Sequence, residues 1–214
     1  MNFYKQSDLE EAVELAITNT ENNPARQQQL ATFGFGPARF NTGKALLKAF
    51  NDKKEEQERC QNEQWSLSKQ LNASLVAVAE QFREHVLVVQ ASFRHDPELL
   101  HSLKINRFAT RRWEEVRQAV HFYHQLKLQE VSLANYGVSD KELQQAYANA
   151  AQLRQLKQVR ADKKSRAEQC TQDKAQLQKE LRQWVSDFRT IARMAFRAQP
   201  QTLEAFGIQV SAKA

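Results

Sequence analysis

The sequence predicts an all-α protein, an elongated helical bundle with coiled-coil-like seams built from two tandem pseudo-repeats. Three observations carry that expectation. Gly and Pro number only 5 and 4 among 214 residues, whereas Gln, Ala, Leu, Lys and Glu abound, side chains that lose little rotamer freedom in a helix. Apolar residues recur in steps of three and four. The stretch Leu133 to Ile208 also repeats the outline of Leu30 to Ile105.

The repeat holds at one offset, 103 positions, with no gap. Leu30-Ala31-Thr32-Phe33-Gly34 reads like Leu133-Ala134-Asn135-Tyr136-Gly137. After Pro97, Leu100, Leu103 and Ile105 fall on Leu203, Phe206 and Ile208 after Pro200. Val13 and Val116, Ile17 and Val120, and Phe93 and Phe196 are spaced alike. The unit is a short helix, a Gly-marked connector and a long helical stretch with a polar middle. We therefore expect one helical domain over 1–214, made of repeats at about 3–105 and 106–208 and ending in a frayed tail, 209–214.

Taken in order, Ser7 or Asp8 can cap a first helix carrying the stripe Leu9, Ala12, Val13, Ala16 and Ile17. Asn22-Asn23-Pro24 stops it. Gln27 to Phe40 reads as a connector in which Gly34, like Gly137, supplies a positive φ. Phe33 and Phe35 there read as packing residues. Leu67, Leu71, Leu75, Val78, Phe82, Val86, Val89 and Phe93 form the next seam.

Residues 51–59 hold no apolar side chain, and 160–166 form a second polar tract. Each tract is either the tip of a helical hairpin or a solvated section of one long helix; an unbroken helix from 38 to 94 would be about 85 Å long, which makes the hairpin the more compact choice. Phe108 to Leu128 reads as a helix with Trp113, Val116, Val120 and either Tyr123 or His124 on one face. The last seam runs Ala167, Cys170, Lys174, Leu177, Leu181, Trp184, Phe188, Ile191 and Ala195. Trp113, Leu177, Leu181, Trp184, Phe188 and Ile191 are the expected core or interaction ridge. The seams hold more apolar surface than two repeats easily bury, which points to a homo-oligomer, a dimer first, or to a helical protein partner.

The net charge of +6 is uneven: residues 1–105 carry 12 Lys/Arg against 14 Asp/Glu, 106–138 carry 5 against 3, and 139–214 carry 14 against 8. Two basic clusters stand out, Arg160, Lys163, Lys164 and Arg166, then Arg182, Arg189, Arg193 and Arg197. They could contact phosphates without sequence preference, which makes a nucleic-acid-associated protein the alternative reading. No helix-turn-helix, zinc-finger or RNA-binding signature accompanies them.

The N-terminus does not read as a secretory signal. The most apolar run, Leu71 to Val89, contains Glu80, Arg83, Glu84 and His85, so no membrane span is expected. A cytoplasmic, reducing setting follows, in which Cys60 and Cys170 read as packing thiols. His121 and His124 share a helix face, but no HExxH or CxxC motif joins them, so they read as surface or packing residues. We expect no catalytic residue, no metal and no cofactor, and hence a non-enzymatic structural or interaction protein.

Trp184-Val185-Ser186-Asp187-Phe188-Arg189-Thr190-Ile191-Ala192-Arg193-Met194-Ala195, followed by Pro200-Gln201-Thr202-Leu203-Glu204-Ala205-Phe206-Gly207-Ile208, resembles the C-terminal end of a group of uncharacterised bacterial all-helical proteins. Trp113 with Phe122-Tyr123 is similar to an aromatic pattern in the middle of that group. Phe206 departs from it, standing where Leu is expected. The resemblance implies a fold and a bacterial origin and carries no activity with it.

Overall fold

The computed structural model describes residues 6–210, with side chains from residue 8 onward. Among these residues the regular elements are all helical. They are α1 (Gln6–Glu21), α2 (Pro24–Thr32), α3 (Pro37–Ser92), α4 (Pro97–Ser102), α5 (Arg112–Leu128) and α6 (Asp140–Ala195), with 3-10 turns at Ala134–Tyr136 and Pro200–Phe206. The all-α class is established: long helices pack on one another through apolar faces.

The two long helices and the start of the element that follows each, Pro97 and Pro200, share the 103-residue spacing, whereas α2 has no α-helical counterpart in the second half. α3 and α6 each span 56 residues, and both their first and their last residues stand 103 apart. The turns before them share their hydrogen bonds. Phe35 N donates to Leu30 O (3.0 Å) and Val138 N to Leu133 O (3.3 Å), around Gly34 and Gly137 at φ +81° and +85°. That conformation crowds any Cβ, which is why glycine stands there. Lys104 and Gly207 form another such pair, at φ 55° and 66°. The turn demands the left-handed conformation, since the chain keeps it even where the residue is lysine.

The chain folds into two compact units. Unit 1 comprises Met1–Cys60 and Ala167–Ala214, and unit 2 comprises Gln61–Arg166. α3 and α6 each contribute residues to both.

Unit 1 buries Leu9, Val13, Ala16 and Ile17 of α1 with Leu30 of α2, Phe40 and Phe50 of α3, and Leu181, Trp184 and Phe188 of α6. Its centre is aromatic. Phe35 meets Phe40, Trp184 and Phe188 edge-on at 5.1, 5.5 and 5.4 Å between ring centroids, and Trp184 stacks on Phe188 at 5.8 Å. The indole lies so close to α3 that a Cβ on Gly43 would stand 2.5 Å from its ring. Trp184 Nε1 donates to Arg39 O at 2.8 Å, so the indole is held by a hydrogen bond as well as by packing.

Unit 2 buries the face Leu71, Leu75, Val78, Phe82, Val86 and Val89 of α3 against Val116, Ala119, Phe122 and Leu126 of α5 and Ala146, Ala150 and Leu153 of α6. It also buries polar groups. Glu115, 3% exposed, accepts from Arg83 Nε at 2.6 Å. His85, also 3% exposed, places Nδ1 3.0 Å from Tyr123 Oη and Nε2 3.4 Å from Glu142 Oε1. A carboxylate only accepts, so in the neutral ring Nε2 donates to Glu142 and Nδ1 accepts from the tyrosine. Burial, with the Glu142 and Glu84 carboxylates adding to it, holds the Tyr123 hydroxyl well above its ordinary pKa.

Several expectations need correction. The tract 51–59 does not turn the chain, because α3 runs through it, and α6 runs through 160–166 in the same way. Without Gly or Pro nothing breaks the helix there, and the polar side chains find partners instead. Lys53 Nζ reaches Glu56 (2.6 Å) and Asp173 (3.4 Å), Lys54 reaches Glu10 (3.0 Å), and Gln57 Nε2 donates to Thr171 Oγ1 (3.2 Å). In unit 2, Lys163 pairs with Glu63 (2.6 Å) and Arg160 Nε donates to Ser68 Oγ (3.0 Å). These bonds leave marks on the charges. The hydrogen bond to Glu56 first, then that to Asp173, raises the Lys53 pKa, and Gln169, then Lys53, lowers that of Asp173.

The connector 27–40 contains a helix, α2. Asn23 accepts from Arg26 N (3.2 Å) as its N-cap and Pro24 opens it, so Asn-Pro both ends one helix and starts the next. Phe35 is buried there as a packing residue, whereas Phe33 is 38% exposed. α5 begins at Arg112, leaving Phe108 to Arg111 in a loop. Asp8 lies in the first turn of α1 rather than at its cap, and the Ser7 side chain is outside the described residues. Of the tail, Val210 packs against the unit 1 core, and 211–214 lie outside the described residues.

Candidate functional site

The expected ridge is consumed by the chain's own folding. Leu181, Trp184 and Phe188 are buried in unit 1, with Leu177 and Ile191 packed beside them. Trp113 packs on the unit 2 core and carries Lys157 Nζ over its ring at 4.7 Å. The two basic clusters fall in different units. In unit 2, Arg160 and Lys163 are engaged with Ser68 and Glu63. In unit 1, Arg182, Arg193 and Arg197 are exposed and Arg189 is half-buried. The histidines are accounted for by packing: His121 Nε2 lies 3.1 Å from Ser102 O, and His124 rests against the Tyr147 ring.

A different basic surface emerges between the end of α4 and the third turn of α5. An open groove of about 690 Å³ is lined by Lys104, Arg107, Phe108, Glu114, Arg117 and His121, among others. Its loop is held by one side chain. Gln118 Nε2 donates to Lys104 O (2.7 Å) and Arg107 O (2.9 Å), while Gln118 Oε1 accepts from Ala109 N (3.1 Å). With both ends of that amide used, the loop backbone is fixed while its cations stay outside.

The electrostatics there are one-sided. Arg111 is the N-cap of α5 and makes no side-chain capping bond, so the positive end of the helix dipole opens on the same stretch. Of the two local acids, Glu115 turns inward to Arg83. Glu114 meets Arg111 and Arg117 only at 3.7 and 4.0 Å, and those arginines are 83% and 65% exposed. Pairs so open to water contribute little and leave the guanidinium groups available. Unit 2 as a whole carries 16 Lys/Arg against 11 Asp/Glu, a net +5.

Sequence reasoning missed this groove. The signal was present as five cations between positions 104 and 117 (Lys104, Arg107, Arg111, Arg112 and Arg117), but a charge count cut at residue 105 divided it. What no count could show is that Glu115 is withdrawn from the surface.

Compared with protein-family models, curated proteins and solved structures, the chain matches none. No helix among the described residues is long and apolar enough to cross a membrane.

Proposed function

We propose that the chain is a non-enzymatic helical interaction protein whose unit 2 groove binds the phosphate groups of nucleic acid. The observation that carries this reading is the groove itself, with Lys104 and Arg107 on a loop fixed by Gln118, Arg117 beside them on α5, and its one facing acid only loosely paired. Guanidinium groups suit phosphate because their planar fork donates two parallel hydrogen bonds. Such contacts track a backbone and carry no base information, so binding without sequence preference is the expected mode.

The test is fluorescence anisotropy with labelled duplex and single-stranded DNA and RNA at about 50 and 200 mM salt. Four phosphate contacts predict a loss of affinity on the order of 100-fold on duplex across that range. Replacing Arg107 and Arg117 together by Ala should lower the salt slope by about 2. If nothing binds at low salt, the phosphate reading is retired. Helix-on-helix recognition through exposed side chains such as Trp65 and Leu128, at 66% and 63% exposure, then remains. A solution mass that is a multiple of 24.8 kDa would mark that route as self-association.

A further inference from the structure

Cys60 and Cys170 are both buried, at 6% and 4% exposure, and form a small cluster of their own with Ala167. Glu56, one helical turn before Cys60, shares that face of α3. The sulfur atoms of the two cysteines and a carboxylate oxygen of Glu56 all lie within 4.8 Å of one another. All three residues belong to unit 1.

Packing alone does not require this set. The positions 103 residues away are Val159, Lys163 and Leu67, and there unit 2 uses an exposed valine, a Lys163–Glu63 ion pair and a half-buried leucine. At those three positions the same helical plan is therefore built with neither a thiol nor a carboxylate. In unit 1, two soft donors and one hard donor converge from two helices in a space a single ion can bridge.

From this geometry we propose that Glu56, Cys60 and Cys170 form a binding site for a thiophilic divalent cation of the zinc class. A tetrahedral zinc with Zn–S of about 2.3 Å and Zn–O of about 2.0–2.2 Å sets its donors about 3.5–3.8 Å apart. The three donors already lie within 4.8 Å of one another, about an ångström or less beyond that spacing. The metal takes the two sulfurs as thiolates and leaves a fourth position for water.

The charges balance as well. Two thiolates and a carboxylate with one divalent ion sum to −1, and the Lys53 ammonium, 2.6 Å from Glu56 Oε2, supplies the compensating +1. Lys53 and the neighbouring Gln57–Thr171 hydrogen bond fix the turn of α3 that presents Glu56 and Cys60. Such supporting contacts orient metal ligands and tune their affinity.

The experiment is a titration of the reduced full-length chain with Co²⁺ under anaerobic conditions, read by thiolate-to-cobalt charge-transfer absorption. One equivalent should develop the band, and Zn²⁺ should abolish it. Cys60→Ser and Cys170→Ser should each lose the band. Lys53→Ala should keep it with affinity lowered about 10- to 100-fold. Since a cysteine variant can fail to fold, a second readout uses the unaltered chain: zinc should slow alkylation of both thiols by iodoacetamide at least tenfold. Absence of the band in the reduced protein overturns the proposal, as does equal alkylation with and without zinc.

Discussion

Unit 1 gathers Phe35, Phe40, Trp184, Phe188 and Phe206 into one aromatic box of edge-on contacts and one stacked pair, whereas the residues 103 positions away in unit 2 are Val138, Leu143, Gln81, His85 and Leu103. Unit 2 draws its aromatic rings from elsewhere: Phe82 of α3 against Phe122 and Tyr123 of α5, at 5.4 and 6.4 Å. Where unit 1 stacks Phe188, unit 2 holds His85 between a tyrosine and a carboxylate. Where Thr20 of unit 1 satisfies itself on Ala16 O (2.7 Å), unit 2 has Tyr123 itself. The lesson is that turns and helix lengths fix the backbone plan, while the filling of each core is solved separately. One unit solves it with a ring box and the other with rings joined to a buried polar network.

The largest effect expected from breaking this comparison is at Arg83. Arg83→Ala leaves the Glu115 carboxylate buried without its partner and should cost about 2–3 kcal/mol in urea unfolding, less than the roughly 3–5 kcal/mol of a fully buried pair because Arg83 is itself half exposed. Adding Glu115→Gln should restore part of that loss. A cost below about 0.5 kcal/mol would mean that water serves Glu115 as well as the guanidinium does.

Next comes Gly43, whose counterpart in unit 2, Ala146, is fully packed with its methyl group. Gly43→Ala drives a Cβ into the Trp184 ring. Overpacking of about 1–3 kcal/mol should outweigh a helix-propensity gain of about 1 kcal/mol, leaving a net loss. A variant more stable than the parent would show that the aromatic box yields easily.

The smallest effect sharpens the polar side of the comparison. The buried Tyr123 hydroxyl resists ionisation, so in alkali the folded state keeps a proton that the unfolded state has lost. Its stabilising contribution is full below pH 10, the ordinary tyrosine value, and fades as pH rises above it. At pH 10.5 the loss is about 0.8 kcal/mol, and Tyr123→Phe should lack it. Equal alkaline slopes in the two proteins would contradict the burial that sets the shift.

Much of the fold was legible in the sequence because periodicity is a local property. The stripe Leu71 to Val89, the paired glycines at 34 and 137 and the constant spacing all follow from residues close along the chain. α2 was hidden because Asn23-Pro24 reads equally well as a stop and as a start. The polar tract 51–59 stayed open between hairpin and continuous helix because its partners, Glu10, Asp173 and Thr171, are distant in sequence and can be known only from packing. The candidate sites suffered most for the same reason. Neither the inward turn of Glu115 nor the meeting of Cys60 with Cys170 follows from spacing, since both depend on which turn of one helix faces which turn of another.

Unit 2 is a single uninterrupted segment of 106 residues, and unit 1 is assembled from the segments on either side of it. Closing a disordered loop of that size costs about 4 kcal/mol in chain entropy. If the intervening segment is already compact, the ends it must bring together are tethered by far fewer flexible residues. During N-to-C synthesis, residues 61–166 are all available before the first residue of the second segment of unit 1 appears. Nesting one core inside the sequence of the other thus means that the outer core cannot be completed until the whole inner segment has been made.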